Sequence, residues 1–353
     1  MYKQTLKAIM ALLFSGSATI GLAGNDTMLL HSGWKFRQAG HSEWHPATVP
    51  GVVHTDLMDN GLIEDPYYRL NERSLQWIDK EDWIYEVSFD AGALTRGYEH
   101  IRLEFLGLDT YADVFLNETQ ILTADNMFRR WAAEVKPLLK ERGNVLRIYF
   151  HSPIKKALPQ YESLPYRYEA WNDQADNGGL AGKKLSPFTR KAGYHYGWDW
   201  GPRLVTSGIW RPVKLQGWNS LRLEDVFHHQ HEVSQETARV ETQVEIEAAA
   251  PVENAVITVS DGKRVLGSRS VQLHVGMNRV SVPFTIDNPK LWWCRGMGEP
   301  YLYTFRTAVE QGGRVLAGHS TQVGLRSVTV EKKPDAYGRS LRFLLNGEPV
   351  FCK

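Results

Sequence analysis

The sequence predicts an all-β protein built from two successive β-sandwiches. From residue 28 to about residue 218, short runs of alternating apolar and polar residues are separated by turn signals, which is typical of a sandwich. A second series of alternating runs follows over about 110 residues and indicates an immunoglobulin-like sandwich. Helical periodicity is slight throughout, and period-2 alternation of this kind does not fit a helix.

In the first sandwich, the clearest strand has its apolar side chains on one face: Trp83, Tyr85, Val87 and Phe89. Asn117-Glu118 is a predicted hairpin turn, and 209–215 a predicted closing strand. Short helical turns are expected at residues 55–61, with Thr55 as the N-cap, and at 136–142. Residues 151–193 carry scattered prolines and no clear period, so we expect a long irregular connection with a functional or lid role.

The second sandwich is expected to follow a boundary near residues 217–220. Further strands are predicted at 240–247, 255–259, 271–275, 280–284, 301–307 and 322–330. No Cys…Trp…Cys pattern is present, so the expected sandwich has no disulfide. Asn346-Gly347 predicts a final hairpin turn. The chain then stops in what reads as the middle of a strand, and we expect it to be truncated.

Charge, cysteine content and the N-terminus limit the possible functions. A net charge of +1 over 353 residues argues against binding to nucleic acid or to a membrane surface. Cys294 and Cys352 cannot form a disulfide framework or a metal cluster. Residues 1–23 have the charged start, short apolar middle and small-residue end of a signal peptide. The apolar middle is too short to span a membrane. We therefore expect an exported protein, periplasmic or secreted.

The stretch Tyr194-His195-Tyr196-Gly197-Trp198-Asp199-Trp200-Gly201-Pro202-Arg203 is the strongest candidate site. Its glycines and proline argue against a helix, and its flanks are predicted strands. Trp198 and Trp200 offer flat apolar platforms for a sugar ring, and Asp199 can accept hydrogen bonds from two neighbouring hydroxyls. A packed aromatic mini-core is the alternative interpretation.

Other polar groups point less clearly to chemistry. His228, His229 and His231 lie on a predicted exposed strand and lack the further ligands that a metal site needs. Asn71-Glu72 is interpreted as structural, because no second carboxylate stands at a spacing suited to glycoside cleavage. Asp173 and Asp176 are possible sugar contacts. Nucleotide-binding and nucleophile-elbow motifs are absent, and we expect no cofactor.

Several stretches, taken in order, resemble the N-terminal half of a β-mannosidase of glycoside hydrolase family 2. The most specific is Gly197-Trp198-Asp199-Trp200-Gly201-Pro202, followed by Ser207-Gly208-Ile209-Trp210-Arg211-Pro212. The resemblance covers essentially the whole chain after the signal peptide. One departure is Trp292-Trp293-Cys294, where the family has proline after the paired tryptophans.

The resemblance implies a galactose-binding-like jelly roll over 24–218, an immunoglobulin-like sandwich over 219–331, and the start of a catalytic (β/α)₈ barrel over 332–353. It implies an exo-acting, retaining hydrolase of terminal β-D-mannosides that uses two barrel glutamates. Both glutamates are expected beyond Lys353, so we expect the 353 residues alone to be inactive. Trp198, Asp199 and Trp200 would contact the terminal mannose.

Two alternatives belong beside this interpretation. The chain could act as a non-catalytic carbohydrate-binding protein, or as part of a sister enzyme such as a β-galactosidase, β-glucuronidase or exo-glucosaminidase. The first alternative predicts a stop codon after Lys353. The Gly-Trp-Asp-Trp-Gly-Pro motif favours the mannosidase over its sister enzymes.

Overall fold

The computed structural model describes residues 26–262 and 264–352, which form two compact units, Asp26–Trp218 and the described residues from Asn219 onward. The predicted signal peptide lies outside the described residues. Across the described part of the chain, no helix is long and apolar enough to cross a membrane.

Strands dominate both units. They are β1 (Asp26–Leu29), β2 (Lys35–Gln38), β3 (His45–Pro46), β4 (Trp83–Phe89), β5 (His100–Phe105), β6 (Tyr111–Leu116), β7 (Thr119–Asp125), β8 (Trp131–Glu134), β9 (Asn144–His151), β10 (Val213–Trp218), β11 (Leu221–Val233), β12 (Thr237–Ala248), β13 (Val252–Asp261), β14 (Arg264–Leu273), β15 (Gly276–Asp287), β16 (Tyr303–Gln311), β17 (Arg314–Val323), β18 (Val328–Glu331), β19 (Pro334–Asp335), β20 (Gly338–Arg339), β21 (Arg342–Leu345) and β22 (Glu348–Val350).

The α-helices lie in the first unit: α1 (Val53–Asp59), α2 (Asn71–Ser74), α3 (Gly92–Gly97) and α4 (Pro153–Ser163). Short 3₁₀ turns occur at Ile78–Lys80, Lys136–Leu138, Ser186–Phe188 and Gly193–Tyr196.

The first unit is an antiparallel sandwich of a six-stranded sheet, β3-β2-β4-β9-β6-β7, and a four-stranded sheet, β1-β10-β5-β8. In β9, burial alternates residue by residue, with Leu146, Ile148 and Phe150 facing the core. The apolar rows of both sheets meet in one buried cluster. The predicted all-β class, a jelly roll before an immunoglobulin-like sandwich, is confirmed.

Local turn chemistry explains the β6–β7 hairpin. Asn117 and Glu118 have φ values of 49° and 67°, which matches the predicted two-residue turn. The Asn117 amide also donates to Leu138 O at 2.8 Å, so its side chain ties the turn to a neighbouring segment.

Helix α1 begins three residues before the position that Thr55 as N-cap predicts, since its N-cap is Val52. Thr55 is not the N-cap, because its hydroxyl donates back to Val52 O at 2.7 Å and receives a bond from Val52 N at 3.3 Å. The second predicted turn, 136–142, is only the three-residue turn Lys136–Leu138.

Two further predictions for the first unit were wrong. The connection after β9 contains the 11-residue helix α4, which includes Pro159. Ser152 caps α4 by accepting from Lys155 N at 3.1 Å, and Pro153 occupies the first turn, where a missing N–H costs nothing. The predicted strand over 209–215 begins only at Val213, and Gly208 before it makes an isolated bridge to Asp109.

The second unit pairs a three-stranded sheet, β11-β12-β15, with a four-stranded sheet, β14-β13-β16-β17, over a separate core. Cys294 and Cys352 are both free. The single strand predicted over 322–330 was wrong. That range covers the end of β17, a segment outside any strand and the start of β18, so most of β17 was not predicted.

The last described residues form a small antiparallel sheet in the order β18-β21-β22. Asn346 and Gly347 have φ values of 51° and 87° between β21 and β22, so the predicted hairpin turn is confirmed.

Candidate carbohydrate-binding site

The aromatic loop, residues 194–203, has a very tight turn at its tip. Trp198 N donates to Gly201 O at 3.2 Å, and Gly201 N donates to Trp198 O at 3.3 Å. These two bonds leave Asp199 and Trp200 at the tip. The predicted flanking strands were wrong, because the 3₁₀ turn Gly193–Tyr196 precedes the tip and an irregular segment follows it.

The tip presents its polar and aromatic groups to solvent. Trp200 is 82% exposed and Asp199 is also exposed, whereas Trp198 is half-buried. The two indole rings lie 5.2 Å apart at 60° to each other. Trp198 Nε1 is buried and finds no hydrogen-bond acceptor among the described residues. An exposed carboxylate between two indoles has the chemistry to bind a hydroxylated ring.

Gln174 holds the first leg of the aromatic loop. Its side-chain amide donates to Trp198 O at 2.8 Å, and its backbone N donates to Tyr196 O at 2.9 Å. Gly197, with φ +103°, leaves room for this side chain, since a Cβ there would lie 2.6 Å from Gln174 Cδ. The close approach therefore requires glycine.

Arg203 holds the second leg. Its side chain is fully buried, and Nη1 lies 2.6 Å from Asp79 Oδ2 and 2.7 Å from Gln76 Oε1. The Arg203 backbone N donates to Glu72 Oε1 at 2.8 Å, and Gln76 Nε2 donates to Arg203 O. Glu72 thus supports the loop, in agreement with the structural interpretation of Asn71-Glu72.

A buried polar cluster lies behind the aromatic loop. The Lys191 ammonium contacts the Asp109 carboxylate at 2.5 Å and donates to Thr206 O at 2.8 Å. Thr206 Oγ1 donates to Asp109 Oδ2 at 2.6 Å and lies 3.3 Å from His195 Nδ1. Burial opposes every charge here, so the cluster depends on the Asp109–Lys191 pair.

The same burial controls the titration of this cluster. Desolvation lowers the pKa of Lys191, although Asp109 raises it. Desolvation, assisted by the positive charge of Lys191, lowers to about 4 the pKa of His195 and that of His54, a buried residue of helix α1. Both imidazoles are therefore neutral at pH 7.

The two aspartates of the long connection differ. Asp173 is buried, and its Oδ2 accepts from Ser186 N at 2.8 Å, so its position does not favour the possible sugar contact. Its carboxylate instead braces a backbone turn. Asp176 is exposed, and a sugar contact there stays a prediction.

The histidines of β11 divide between the two faces of the strand. His228 is buried, with Nδ1 2.8 Å from Thr242 Oγ1, which corrects the expectation of a wholly exposed strand. The rings of His229 and His231 lie 4.3 Å apart. Within residues 26–262 and 264–352, no group of three or more His, Cys, Asp or Glu side chains is arranged to hold a metal ion.

Three supporting residues were not identified from the sequence: Gln174 and Arg203, which hold the aromatic loop, and Lys191, which belongs to the polar cluster behind it. Gln174 and Lys191 stand in a stretch without periodicity, and no pattern marked them. Arg203 was within the quoted stretch, but nothing in the sequence shows that its guanidinium is buried.

Comparison with known families assigns both units. Residues 34–211 match the model described as glycosyl hydrolase 2 galactose-binding domain-like, and residues 221–326 match the model described as glycosyl hydrolases family 2. The first match spans half of the chain, and the chain belongs to glycosyl hydrolase family 2.

Two individual relatives give a more specific comparison than the family models do. Beta-mannosidase B of Aspergillus oryzae is 34% identical over 332 residues, which are 92% of this chain and 38% of the relative. The crystal structure of beta-D-mannosidase from Dictyoglomus thermophilum is 38% identical, with a TM-score of 0.80 over 93% of this chain and 40% of that one. The chain thus spans well under half the length of these relatives.

More distant structures share the fold alone. An exo-chitosanase from Amycolatopsis orientalis is 17% identical, with a TM-score of 0.67 over 92% of this chain and 36% of that one. A β-glucuronidase from Ruminococcus gnavus is 18% identical, with a TM-score of 0.60 over 94% and 50% of the two chains.

Proposed function

We propose that this chain is the sugar-recognition portion of an exo-acting, retaining β-mannosidase. The observation that carries the proposal is the exposed tip Trp198-Asp199-Trp200, held at one leg by Gln174 and at the other by Arg203. The relatives named β-mannosidase support mannose as the sugar.

The proposed contacts follow from the chemistry of the tip. Asp199 accepts hydrogen bonds from two neighbouring hydroxyls of the terminal, non-reducing β-D-mannose. Trp198 and Trp200 form a wall against the apolar face of the ring. A wall on this side admits only a chain end, which accounts for exo action.

Hydrolysis itself is proposed for the longer protein. The acid/base glutamate and the nucleophilic glutamate are expected beyond Lys353, so the 353 residues alone should not cleave glycosides. Assaying the 353 residues beside the full-length enzyme on an aryl β-mannoside tests this, since turnover by the short chain would contradict it.

Asp199→Ala in the full-length enzyme tests the site. We expect a loss of about 1.5–3 kcal/mol of transition-state binding, or about 10- to 100-fold in kcat/KM on an aryl β-mannoside. Glu253→Ala, at an exposed carboxylate of the other unit, is the matched control and should leave kcat/KM unchanged. Unchanged kinetics for Asp199→Ala would rule out the assignment.

A panel of aryl glycosides separates the proposed mannosidase from its sister enzymes. We expect the full-length enzyme to prefer the β-mannoside over the β-galactoside, β-glucuronide and β-glucosaminide. Binding of mannosides by the full-length protein without turnover of any substrate would favour the carbohydrate-binding alternative.

Export is proposed from the N-terminal sequence. Cleavage near residue 23 would give a mature protein in the periplasm or the medium. N-terminal sequencing of the protein recovered from these fractions tests the proposal, and a product that retains Met1 would contradict it.

A further inference from the structure

A group of exposed aromatic side chains precedes the aromatic loop in the sequence. Tyr166, Tyr168 and Trp171 lie on an irregular segment after helix α4, and Trp171 is 88% exposed. We call these three side chains the aromatic platform. The two tyrosines are about half exposed, so the three rings together leave a large apolar area in water that folding has not used.

The two tyrosines are nevertheless held in place. Their rings pack edge to face at 5.3 Å, and their hydroxyl oxygens are 3.2 Å apart. The ring of Tyr168 also lies 5.8 Å from that of Phe188. Rings fixed by their neighbours lose little conformational entropy when a ligand stacks on them.

The backbone between the tyrosines is braced as well. Arg167 donates to Leu164 O at 2.7 Å, and its guanidinium lies 4.4 Å from the ring centroid of Tyr161 on helix α4. The segment is therefore pre-organised although it belongs to no strand or helix.

An ion pair lies next to Trp171. The Lys184 ammonium lies 6.0 Å from the centroid of the Trp171 ring, and the same ammonium lies 4.0 Å from Glu169 Oε2. An exposed indole with an ammonium over its ring and a carboxylate next to that ammonium offers an apolar surface together with hydrogen-bonding groups, which suits a ligand whose faces carry C–H groups and whose rim carries hydroxyls.

The aromatic platform is joined directly to the aromatic loop. Asp173 N donates to Ala170 O at 3.2 Å, and Gln174, three residues after Trp171, bonds to both Tyr196 and Trp198. Three residues span at most about 10 Å of chain. The Trp171 backbone therefore lies within a few sugar units of the proposed binding site for the terminal mannose.

We propose that the aromatic platform is a second carbohydrate-binding site, which takes the sugar units that follow the terminal mannose in a β-mannosyl oligosaccharide. This inference rests on the proposed function. It adds a preference for substrate length, since an aryl mannoside would not reach the platform and a tetrasaccharide would.

Trp171→Ala and the double variant Tyr166→Ala/Tyr168→Ala in the full-length enzyme test the inference. We expect kcat/KM on mannotetraose to fall about 3- to 10-fold, as loss of a ring-stacking contact predicts, with kcat/KM on an aryl β-mannoside within about two-fold of wild type. Trp171→Phe, which keeps an aromatic face, should retain most of the wild-type kcat/KM on mannotetraose. Phe227→Ala, at an exposed aromatic residue of the other unit, is the control.

Three results would overturn the proposal. They are equal losses on both substrates, no loss on either, or a lowered urea midpoint that accounts for the loss. Equal losses with intact stability would indicate that the platform contacts another part of the protein.

Failure of the proposed function can be told apart from failure of the aromatic platform. If wild type hydrolyses no β-mannoside, calorimetric titration of the full-length protein with mannotetraose and with mannose still tests the platform. Tighter binding of the tetrasaccharide that is lost in Trp171→Ala would support the platform, and equal affinity of both proteins for it would reject the platform.

Discussion

Arg203 is a fully buried cation whose nearest carboxylate, on Asp79, comes from 124 residues earlier in the chain. Gln76 Oε1 accepts from the same guanidinium nitrogen, Nη1, whereas Glu72 accepts from the Arg203 backbone N. A buried ion pair adds little net stability, but breaking it leaves one charge without compensation in a medium of low dielectric constant.

Asp79→Ala should therefore lower the free energy of unfolding of the first unit by about 3–5 kcal/mol. Urea denaturation followed by tryptophan fluorescence measures this loss. The control is Glu245→Ala, which removes a surface pair with the 79% exposed Arg279 and should cost less than about 1 kcal/mol. Similar losses for both variants would contradict the buried-pair interpretation.

His195 links stability to pH. Burial lowers its pKa from 6.5 to about 4 in the folded protein, and Lys191 adds to the shift. Between these pH values the unfolded state binds a proton that the folded state lacks, so stability falls as pH drops through this window. His54 and His228 shift in the same direction, whereas burial raises the pKa of Asp56 to about 6 and opposes them.

His195→Gln should flatten the pH dependence of stability. We expect the variant to lose less unfolding free energy than wild type between pH 6.5 and 4, by up to about 1.4 kcal/mol per unit of pKa shift removed. Urea midpoints at half-unit pH steps measure the difference. Parallel curves for the two proteins would contradict a buried neutral His195.

At the scale of elements, the predictions that were confirmed rest on short stretches of chain. The turns at Asn117-Glu118 and Asn346-Gly347 place residues that tolerate positive φ between two strands. Helix α4 was missed because the scattered prolines of residues 151–193, with Pro159 among them, and the lack of a clear period were interpreted as an irregular connection. The Ser152-Pro153 pair, an N-cap followed by proline in the first turn, is the signal that could have identified it.

Gly197→Ala tests the element that holds the aromatic loop. The substitution forces a Cβ onto Gln174 at a φ of +103°, so we expect a loss of more than about 2 kcal/mol in unfolding free energy. Gly193→Ala is the matched control, since a Cβ there meets nothing within 4 Å and its φ is not positive. The assay is urea denaturation, and equal midpoints for the two variants would contradict the close-packing argument.

At the scale of the whole molecule, the two units have separate cores. Every residue of the first cluster lies between Leu30 and Leu215, and every residue of the second lies between Leu221 and Leu325. No core residue is shared, which is the property expected of units that can fold alone.

Residues 26–218 expressed alone should therefore unfold cooperatively. We expect urea transitions followed by circular dichroism and by tryptophan fluorescence to coincide. Leu103→Ala, at a fully buried position of this core, should lower the unfolding free energy by about 2–5 kcal/mol. Non-coincident transitions of the wild-type unit would contradict independent folding.

The sequence by itself determined the all-β class, the hairpin turns and the family of this protein. These depend on alternation, turn residues and short motifs, each of which acts over a few neighbouring residues. Trp198, Asp199 and Trp200 were also selected from the sequence, and their role stays a prediction.

Only the tertiary structure decided how the aromatic loop is held. Lys191 meets Asp109 across 82 residues, and Arg203 meets Asp79 across 124. No periodicity in the sequence relates partners that are so far apart along the chain. Each of these buried charges is costly without an opposite charge, so the fold that buries one must also bring its partner to it.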